Sequence, residues 1–517
     1  MTQNEALALL KTGANVFLTG EAGSGKTYVI NAYTDYLRSH EIDFAVTAST
    51  GIASTHIHGM TIHSWSGIGV HQEATEDELK HIAENKYVAK RIKRAKVLII
   101  DEVSMLDGKV LTLVERVCRT VRKLRMPFGG LQVVLVGDFF QLPPISKQGN
   151  VIEFAFDSDA WQGLDPEICY LTEQHRQDDK TFLDILSAIR ENTFDEMHFE
   201  SLSERMRSKE SLPRDATRLF SHNVNVDTLN TGELRKLPGK TRLFVMAVRG
   251  PEVLTDALIR GCLSPERLEL KEGAKVMFTK NNVSQGFVNG TLGTVIGFDK
   301  ETSYPMVKTS DGVCITAEPM EWTIAEGDEI FAKITQIPLR LAWAITIHKS
   351  QGVSLDSAVI DLSQAFEYGQ GYVALSRVRT LSGVFLLGVN KRAFEVHPIV
   401  QAKDVFFRER SLQVTQKRAT HSEERRKELE INFIKMCGGK QSKEKKPRII
   451  KKEKGEKSEK PFETLREKHP KAYMKWTKEE DEKLIHLFKR GVQMRELSKV
   501  LERKPGAISS RLKKLEQ

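Results

Sequence analysis

The chain has 517 residues, 40% of them apolar and 28% charged, which is ordinary for a globular protein with several buried cores. No stretch approaches the ~20 apolar residues of a membrane helix, Met1-Thr-Gln-Asn-Glu5 is not a secretion signal, and five scattered cysteines without a C-x-x-C pair argue against a disulfide framework or structural zinc. The formal charge of +9 is uneven: residues 439–460 and 461–517 carry +6 each, leaving −3 for the first 438.

Val16-Phe-Leu-Thr19 reads as a short buried strand and 28–37 as the helix after it. Between them, Gly20-Glu-Ala-Gly23-Ser24-Gly25-Lys26-Thr27 fits G-x-x-x-x-G-K-[ST]. Such glycines let the backbone wrap an anion, with N–H groups and the helix N-terminus facing phosphates. Lys26 then reaches the β- and γ-phosphates of a nucleoside triphosphate, and the Thr27 hydroxyl holds Mg²⁺. Phe44-Ala-Val-Thr47 is the next strand, and the polar, helical stretch 67–95 is an insertion. Strand Val97-Leu-Ile-Ile100 ends in Asp101-Glu102. Asp101 is placed to face the Mg²⁺, and Glu102 to position and deprotonate a water. Strand Val133-Val-Leu-Val136 leads into Gly137-Asp138-Phe139-Phe140-Gln141-Leu-Pro143-Pro144. Gln141 senses the γ-phosphate or orients water. One of Phe139 and Phe140 belongs in the core; Phe140 is assigned to stack on a base.

Leu219-Phe220, Ala358-Val-Ile360 and Val384-Phe-Leu-Leu387 continue the alternation of strands with helical patterns, which implies parallel α/β layers. Residues 273–335 differ. Lys275-Val-Met-Phe278, Leu292-Gly-Thr-Val-Ile296, Met306-Val-Lys308 and Val313-Cys-Ile-Thr316 are short strands separated by turn signals. They read as a small inserted antiparallel β-barrel. Arg377, after Tyr372-Val-Ala-Leu-Ser376, and Arg176, in Glu173-Gln-His-Arg176, are candidates to neutralise transition-state charge. Residues 421–437 read as a charged helix and 438–470 as a Lys/Glu-rich tether; a solubilising linker is the bland alternative.

The last 47 residues regain a pattern. Thr477-x-x-Glu480 is a capping box. Leu484, Leu487 and Phe488 form an apolar face that ends at Gly491. A second helix carries Leu497 and Leu501, and Pro505 opens a third. Arg511, Lys513 and Lys514 on the outer face of the third helix suit a DNA groove. A protein-docking bundle is the alternative.

Further blocks follow the same order as a known family. They are Thr47-Ala-Ser49-Thr50-Gly-Ile-Ala-Ser54, Gly59-Met-Thr61-Ile-His63-Ser64-Trp65, Val117-Cys-Arg-Thr-Val-Arg122 with Pro127-Phe-Gly-Gly130, and Ala344-Ile-Thr-Ile-His348-Lys349-Ser350-Gln351-Gly352. With the motifs above, residues 3–395 resemble the petite integration frequency (PIF) family of superfamily-one DNA helicases, relatives of RecD-like helicases. Trp476-Thr-x-Glu-Glu-Asp481 resembles the start of Myb-like helix-turn-helix repeats. The resemblance implies an ATP- and Mg²⁺-dependent motor moving 5′ to 3′ on single-stranded or forked DNA. RNA–DNA hybrids and G-quadruplexes are further partners it suggests. It implies catalytic roles for Lys26, Asp101, Glu102, Gln141, Arg176 and Arg377. ATP falls to Gln3, which reads adenine, and to Gly20, Gly23, Ser24, Gly25, Lys26, Thr27, Gly352 and Tyr372; Mg²⁺ falls to Thr27 and Asp101. DNA falls to Thr47, Ser49, Thr50, Thr61, His63, Ser64, Phe140, Pro143, His348, Lys349, Ser350 and Gln351. Hydroxyl and backbone contacts of this kind hold phosphates without reading bases.

The expected fold is α/β. RecA-like motor domains span 1–165 and 166–400, the second with an SH3-like insertion at 273–335. A helical extension (401–438), a basic linker (439–470) and a helix-turn-helix module (471–517) follow. The expected setting is a bacterial or phage cytoplasm, with no membrane partner, as a monomer or a dimer on DNA. A RecD-like subunit of a nuclease complex and an ATPase acting as a DNA-binding regulator are the alternatives.

Overall fold

Five-residue apolar runs, buried on both faces, form the central strands of the first sheet in the computed structural model. It describes residues 1–50, 60–69, 71–144, 152–173, 179–213, 216–287, 289–309, 312–326, 329–440, 476–490, 492, 494–503 and 505–515. Six parallel strands lie in the order Met60–Thr61, Phe44–Ala48, Val97–Asp101, Gln132–Val136, Val16–Gly20, Glu167–Leu171. The expected boundary at 165 is therefore too early: Glu167–Leu171 pairs along the whole of Val16–Gly20. A second parallel sheet has the order Ala344–Thr346, Thr217–Phe220, Ala358–Leu362, Val384–Val389.

The insertion at 67–95 is two helices, Glu76–Glu84 and Lys86–Arg94, each capped from the residue before it, Thr75 and Asn85. Leu79, Val88 and Ile92 bury into the core of the first sheet.

The expected barrel strands all form, in a five-stranded antiparallel sheet whose last edge strand is Leu339–Leu341. A single barrel over 273–335 is not what forms. Met320–Glu326 and Glu329–Gln336 leave it and pair as a hairpin with Ala247–Arg249. The hairpin's apolar face, Trp322 and Ile334, is covered by Met246 and by Leu258 and Ile259 of the helix Glu252–Gly261.

The chain then returns to its start. Helix Pro398–Ala419 lays Phe407 against Phe17, with ring centroids 5.2 Å apart. Helix Glu423–Met436 sends Phe433 and Ile434 into the core formed by Leu10, Val16 and Leu37. No helix among the described residues is long and apolar enough to cross a membrane.

The chain divides into two units, Met1–Ser442 and Lys443–Gln517. In the second, helices Lys478–Lys489, Met494–Val500 and Pro505–Leu515 bury Leu484, Leu497, Leu501, Ile508 and Leu512. The Thr477–Glu480 capping box forms as expected. Phe488 is exposed rather than buried. Arg511 is engaged: its guanidinium meets Asp481 through two bonds of 2.8 and 2.6 Å. The side chain assigned to a DNA groove is thus paired within its own unit. Gly491, the tether 441–470 and the side chains of Lys513 and Lys514 lie outside the described residues.

Candidate functional site: a cavity between two parallel sheets

Strand Val16–Gly20 delivers the glycine-rich loop to the edge of a cavity of about 570 Å³. Its walls include Gly23, Gly25, Lys26, Thr27, Glu102 and Gln141 from the first lobe. Gly352, Ser354, Arg377 and Arg379 come from the second. The two ends of the chain's expected chemistry, Lys26 and Arg377, thus line one space.

The loop has the shape of an anion cradle. Gly25 opens helix Lys26–Ser39 at a φ of 86°, a conformation that L side chains rarely adopt. A Cβ there would fall 2.0 Å from Nε2 of Gln3. That Nε2 donates to the Ser24 carbonyl at 3.1 Å, and the Gln3 backbone N–H donates to Glu173 at 2.8 Å. Gln3 is therefore anchored against the loop. The buried Ser24 hydroxyl has no hydrogen-bond partner among the described residues. Lys26 Nζ donates to the carbonyls of Gly20 and Glu21, at 2.8 and 3.0 Å. These features fit the phosphates of a nucleotide: an unsatisfied hydroxyl, a positively charged end, and a cradle that only glycine keeps open.

Two carboxylates stand at the end of strand Val97–Asp101. The Asp101 carboxylate accepts the Glu102 N–H at 2.8 Å. Glu102 adopts a φ of 53°, which turns its side chain out of the strand direction and into the cavity. The cavity walls strip water from Glu102, and Asp101 adds negative charge beside it; its carboxyl is pushed up to about 7. Loss of water also raises Asp101 and lowers Lys26.

Gln351 joins the lobes. Its Nε2 donates to Glu102 at 3.0 Å and to the Gln141 side-chain oxygen at 3.2 Å. Gln141 Nε2 in turn donates to Asp138 at 3.4 Å. Gln351 is assigned by sequence to DNA; in the structure it bridges the nucleotide cavity. Tyr372 is buried, and its oxygen accepts the Ala22 N–H of the loop at 3.1 Å. Arg377 is only 2% exposed; it donates to the Val373 carbonyl and the Ser376 hydroxyl, both at 2.9 Å.

Several expected DNA contacts are corrected. Thr47 is fully buried, its hydroxyl on the Ile99 carbonyl at 2.9 Å, because it sits in a central strand. Ser350 is also fully buried, donating to the Ile347 carbonyl. Pro143 is buried. Phe140 is 4% exposed and Phe139 is buried with it. The Phe140 ring is occupied by the Arg190 guanidinium, 4.1 Å from its centroid. The half-buried Thr50, Thr61, His63, Ser64, His348 and Lys349 remain near the surface. Thr61 caps helix Ile62–Ser66 through the Ser64 N–H. Burial lowers His63, His348 and Lys349. Ser49 ties its segment to the backbone that carries the carboxylates, donating to the Glu102 main-chain carbonyl at 2.7 Å. Arg176 and residues 51–59 lie outside the described residues.

Sequence reasoning missed Ser354, Arg379 and Arg190. Arg379 sits two residues after Arg377 and pairs with Asp356 at 2.9 Å. Arg190 carried a readable signal. It falls eight residues after Phe182 on the apolar stripe Phe182, Ile185, Leu186 and Ile189, where a charge calls for a buried partner.

Known helicases resemble the chain over most of its length. The family model described as PIF1-like helicase matches residues 3–199, and that described as DNA helicase Pif1, 2B domain, matches residues 254–298. An ATP-dependent DNA helicase Pif1 of Psychrobacter sp. is 43% identical over 499 residues, covering 85% of this chain and 75% of that protein. The chain spans 65% and 61% of the length of the Xenopus laevis and human relatives. The crystal structure of Pif1 helicase from Candida albicans superposes with a TM-score of 0.66 at 34% identity, over 78% of this chain and 98% of that one. Bacteroides Pif1 in complex with ADP-AlF3 and ssDNA gives 0.58 at 31% identity, over 78% and 96%.

Proposed function

The chain belongs to the PIF1-like helicase family, an ATP-dependent DNA helicase acting on single-stranded DNA, and from that premise we propose that it moves 5′ to 3′ and unwinds duplexes ahead of it. The observation that carries this reading is the shared cavity, with Lys26 and Glu102 on one wall and Arg377 on the other.

The loop amides and Lys26 bind the phosphates of ATP. Gln3, anchored against the loop, is positioned for the adenine. Thr27 and Asp101 are the residues that would hold Mg²⁺, which neutralises phosphate charge when bound. Glu102 orients the attacking water and takes its proton; Gln351, which also bonds Gln141, fixes the carboxylate. Arg377 donates to the charge that develops on the transferred group, as does Arg176 in this reading. Such arginines are worth about 10³–10⁵ in rate.

Closing the cavity brings the two sheets together, and hydrolysis lets them part. Thr50, Thr61, His63, Ser64, His348 and Lys349 alternate their grip on the strand. Melting DNA requires roughly 1.4 kcal/mol of stacking per base-pair step, a fraction of one hydrolysis. The insertion at 273–341 helps hold the strand. A bacterial or phage cytoplasm is the setting assigned by this reading.

Duplexes with a 5′ tail, a 3′ tail, an RNA strand or a G-quadruplex test the proposal. Displacement from the 5′-tailed duplex with none from the 3′-tailed one is expected. The reverse polarity would contradict it.

A further inference from the structure

The nucleotide chemistry leaves unused a fully buried cation, Arg190 of helix Lys180–Glu191. Its Nη1 donates to both carboxylate oxygens of Asp138, at 2.7 and 2.8 Å, and to the Tyr372 oxygen at 3.4 Å. Its Nη2 donates to the Tyr170 oxygen at 2.8 Å. The flat face of the guanidinium lies over Phe140. Both Arg190 and Asp138 are shut off from solvent, so neither is tolerable without the other.

The partners of this one group lead in two directions. Tyr372 belongs to the second lobe, on helix Gln370–Leu375, and its oxygen also accepts the Ala22 N–H of the phosphate loop. Asp138 belongs to the first lobe; it accepts from the Phe140 backbone N–H and from Gln141, which contacts Gln351 and through it Glu102. The lobes also touch closely here. Gly369 stands at the start of the Tyr372 helix with a φ of 77°, and a Cβ on it would fall 2.5 Å from the Phe140 carbonyl oxygen.

Resting on the helicase reading, we propose that Arg190 is a positioning residue of the motor: through Tyr372 and Asp138 it makes the phosphate loop, the Glu102–Gln351 bridge and the closure of the two lobes change together. A planar fork is required. A lysine ammonium can neutralise Asp138 but cannot at once reach Tyr170 and Tyr372.

The test uses the full chain, ATP, and a thymidine oligonucleotide. Tyr372→Phe removes one hydroxyl and keeps the ring; Arg190→Lys keeps the charge and loses the fork. KM for ATP, kcat with saturating oligonucleotide, base pairs unwound per ATP and melting temperature are measured for each. Each variant is expected to lose at least tenfold in kcat and twofold in pairs unwound per ATP, with KM changed less than threefold. The double variant is expected to be within twofold of the worse single one, because both cut one path. Wild-type kcat and coupling in Tyr372→Phe overturn the proposal, as do multiplicative losses in the double variant or a lowered melting temperature with unchanged kcat. If Arg190→Lys does not fold, Tyr372→Phe alone decides. A wild-type chain without DNA-stimulated hydrolysis overturns the helicase reading and this link with it; stimulated wild type with unaffected Tyr372→Phe overturns the link alone.

Discussion

Gln351 and Glu102, 249 positions apart in the chain, meet at 3.0 Å across the nucleotide cavity. The amide gives the carboxylate a donor from the opposite lobe, so in the proposed mechanism the group that activates water is steadied when the lobes are together. Replacing Gln351 with Ala should leave ATP affinity within about threefold, since the phosphate loop is untouched. DNA-stimulated turnover should fall about tenfold, the lower range for losing one positioned hydrogen bond in a catalytic site. Steady-state hydrolysis with and without a thymidine oligonucleotide measures both.

In the proposed mechanism Glu102 acts as a carboxylate, and its carboxyl is pushed up to about 7. With that value the ionised fraction rises from about one tenth at pH 6 to about nine tenths at pH 8. kcat/KM for ATP, which reports the free enzyme, should therefore climb through this interval and flatten above it. Glu102→Gln should be slow at every pH and lack the rise. For folding the sign is opposite. The raised carboxyl keeps its proton in the folded state above its ordinary value of 4.5, so this group's contribution to stability declines as pH increases from there toward 7.

Phe407 joins helix Pro398–Ala419 to the first sheet, with its ring beside Phe17, Phe139, Phe156 and Trp161. Phe407→Ala should destabilise the first unit by about 3–5 kcal/mol, the usual cost of emptying a buried aromatic site. Urea denaturation followed by far-ultraviolet circular dichroism would read it.

The phosphate loop and the Asp101-Glu102 pair are legible in the sequence because their chemistry demands fixed spacing at strand ends. Parallel strands such as Val97–Asp101 are legible because burial on both faces favours short, nearly continuous apolar runs. What stays hidden depends on distant partners. Phe140 reads as a free aromatic until Arg190, fifty positions on, covers it. Thr47 and Ser350 read as phosphate-binding hydroxyls, but neighbouring carbonyls in the fold take them. The hairpin Met320–Glu326 and Glu329–Gln336 alternates as a strand should, yet nothing local tells that its third strand is Ala247–Arg249.

Deleting residues 443–517 removes a segment with an excess of positive charge. Unwinding at low salt should persist. Affinity for DNA should fall and depend less steeply on salt, because fewer phosphates are neutralised. Arg511→Ala in the full chain should leave that affinity unchanged, as its guanidinium is committed to Asp481. Fluorescence anisotropy with a labelled oligonucleotide across a salt series separates these outcomes.

The central claim is that Lys26 and Arg377 work on one nucleotide from opposite walls of one cavity. Strand displacement from a 5′-tailed duplex, with ATP binding measured alongside, tests it most directly. Lys26→Ala should lose both binding and displacement, while Arg377→Ala should bind ATP within a few-fold of wild type and displace no strand. Displacement at the wild-type rate by either variant would contradict the account.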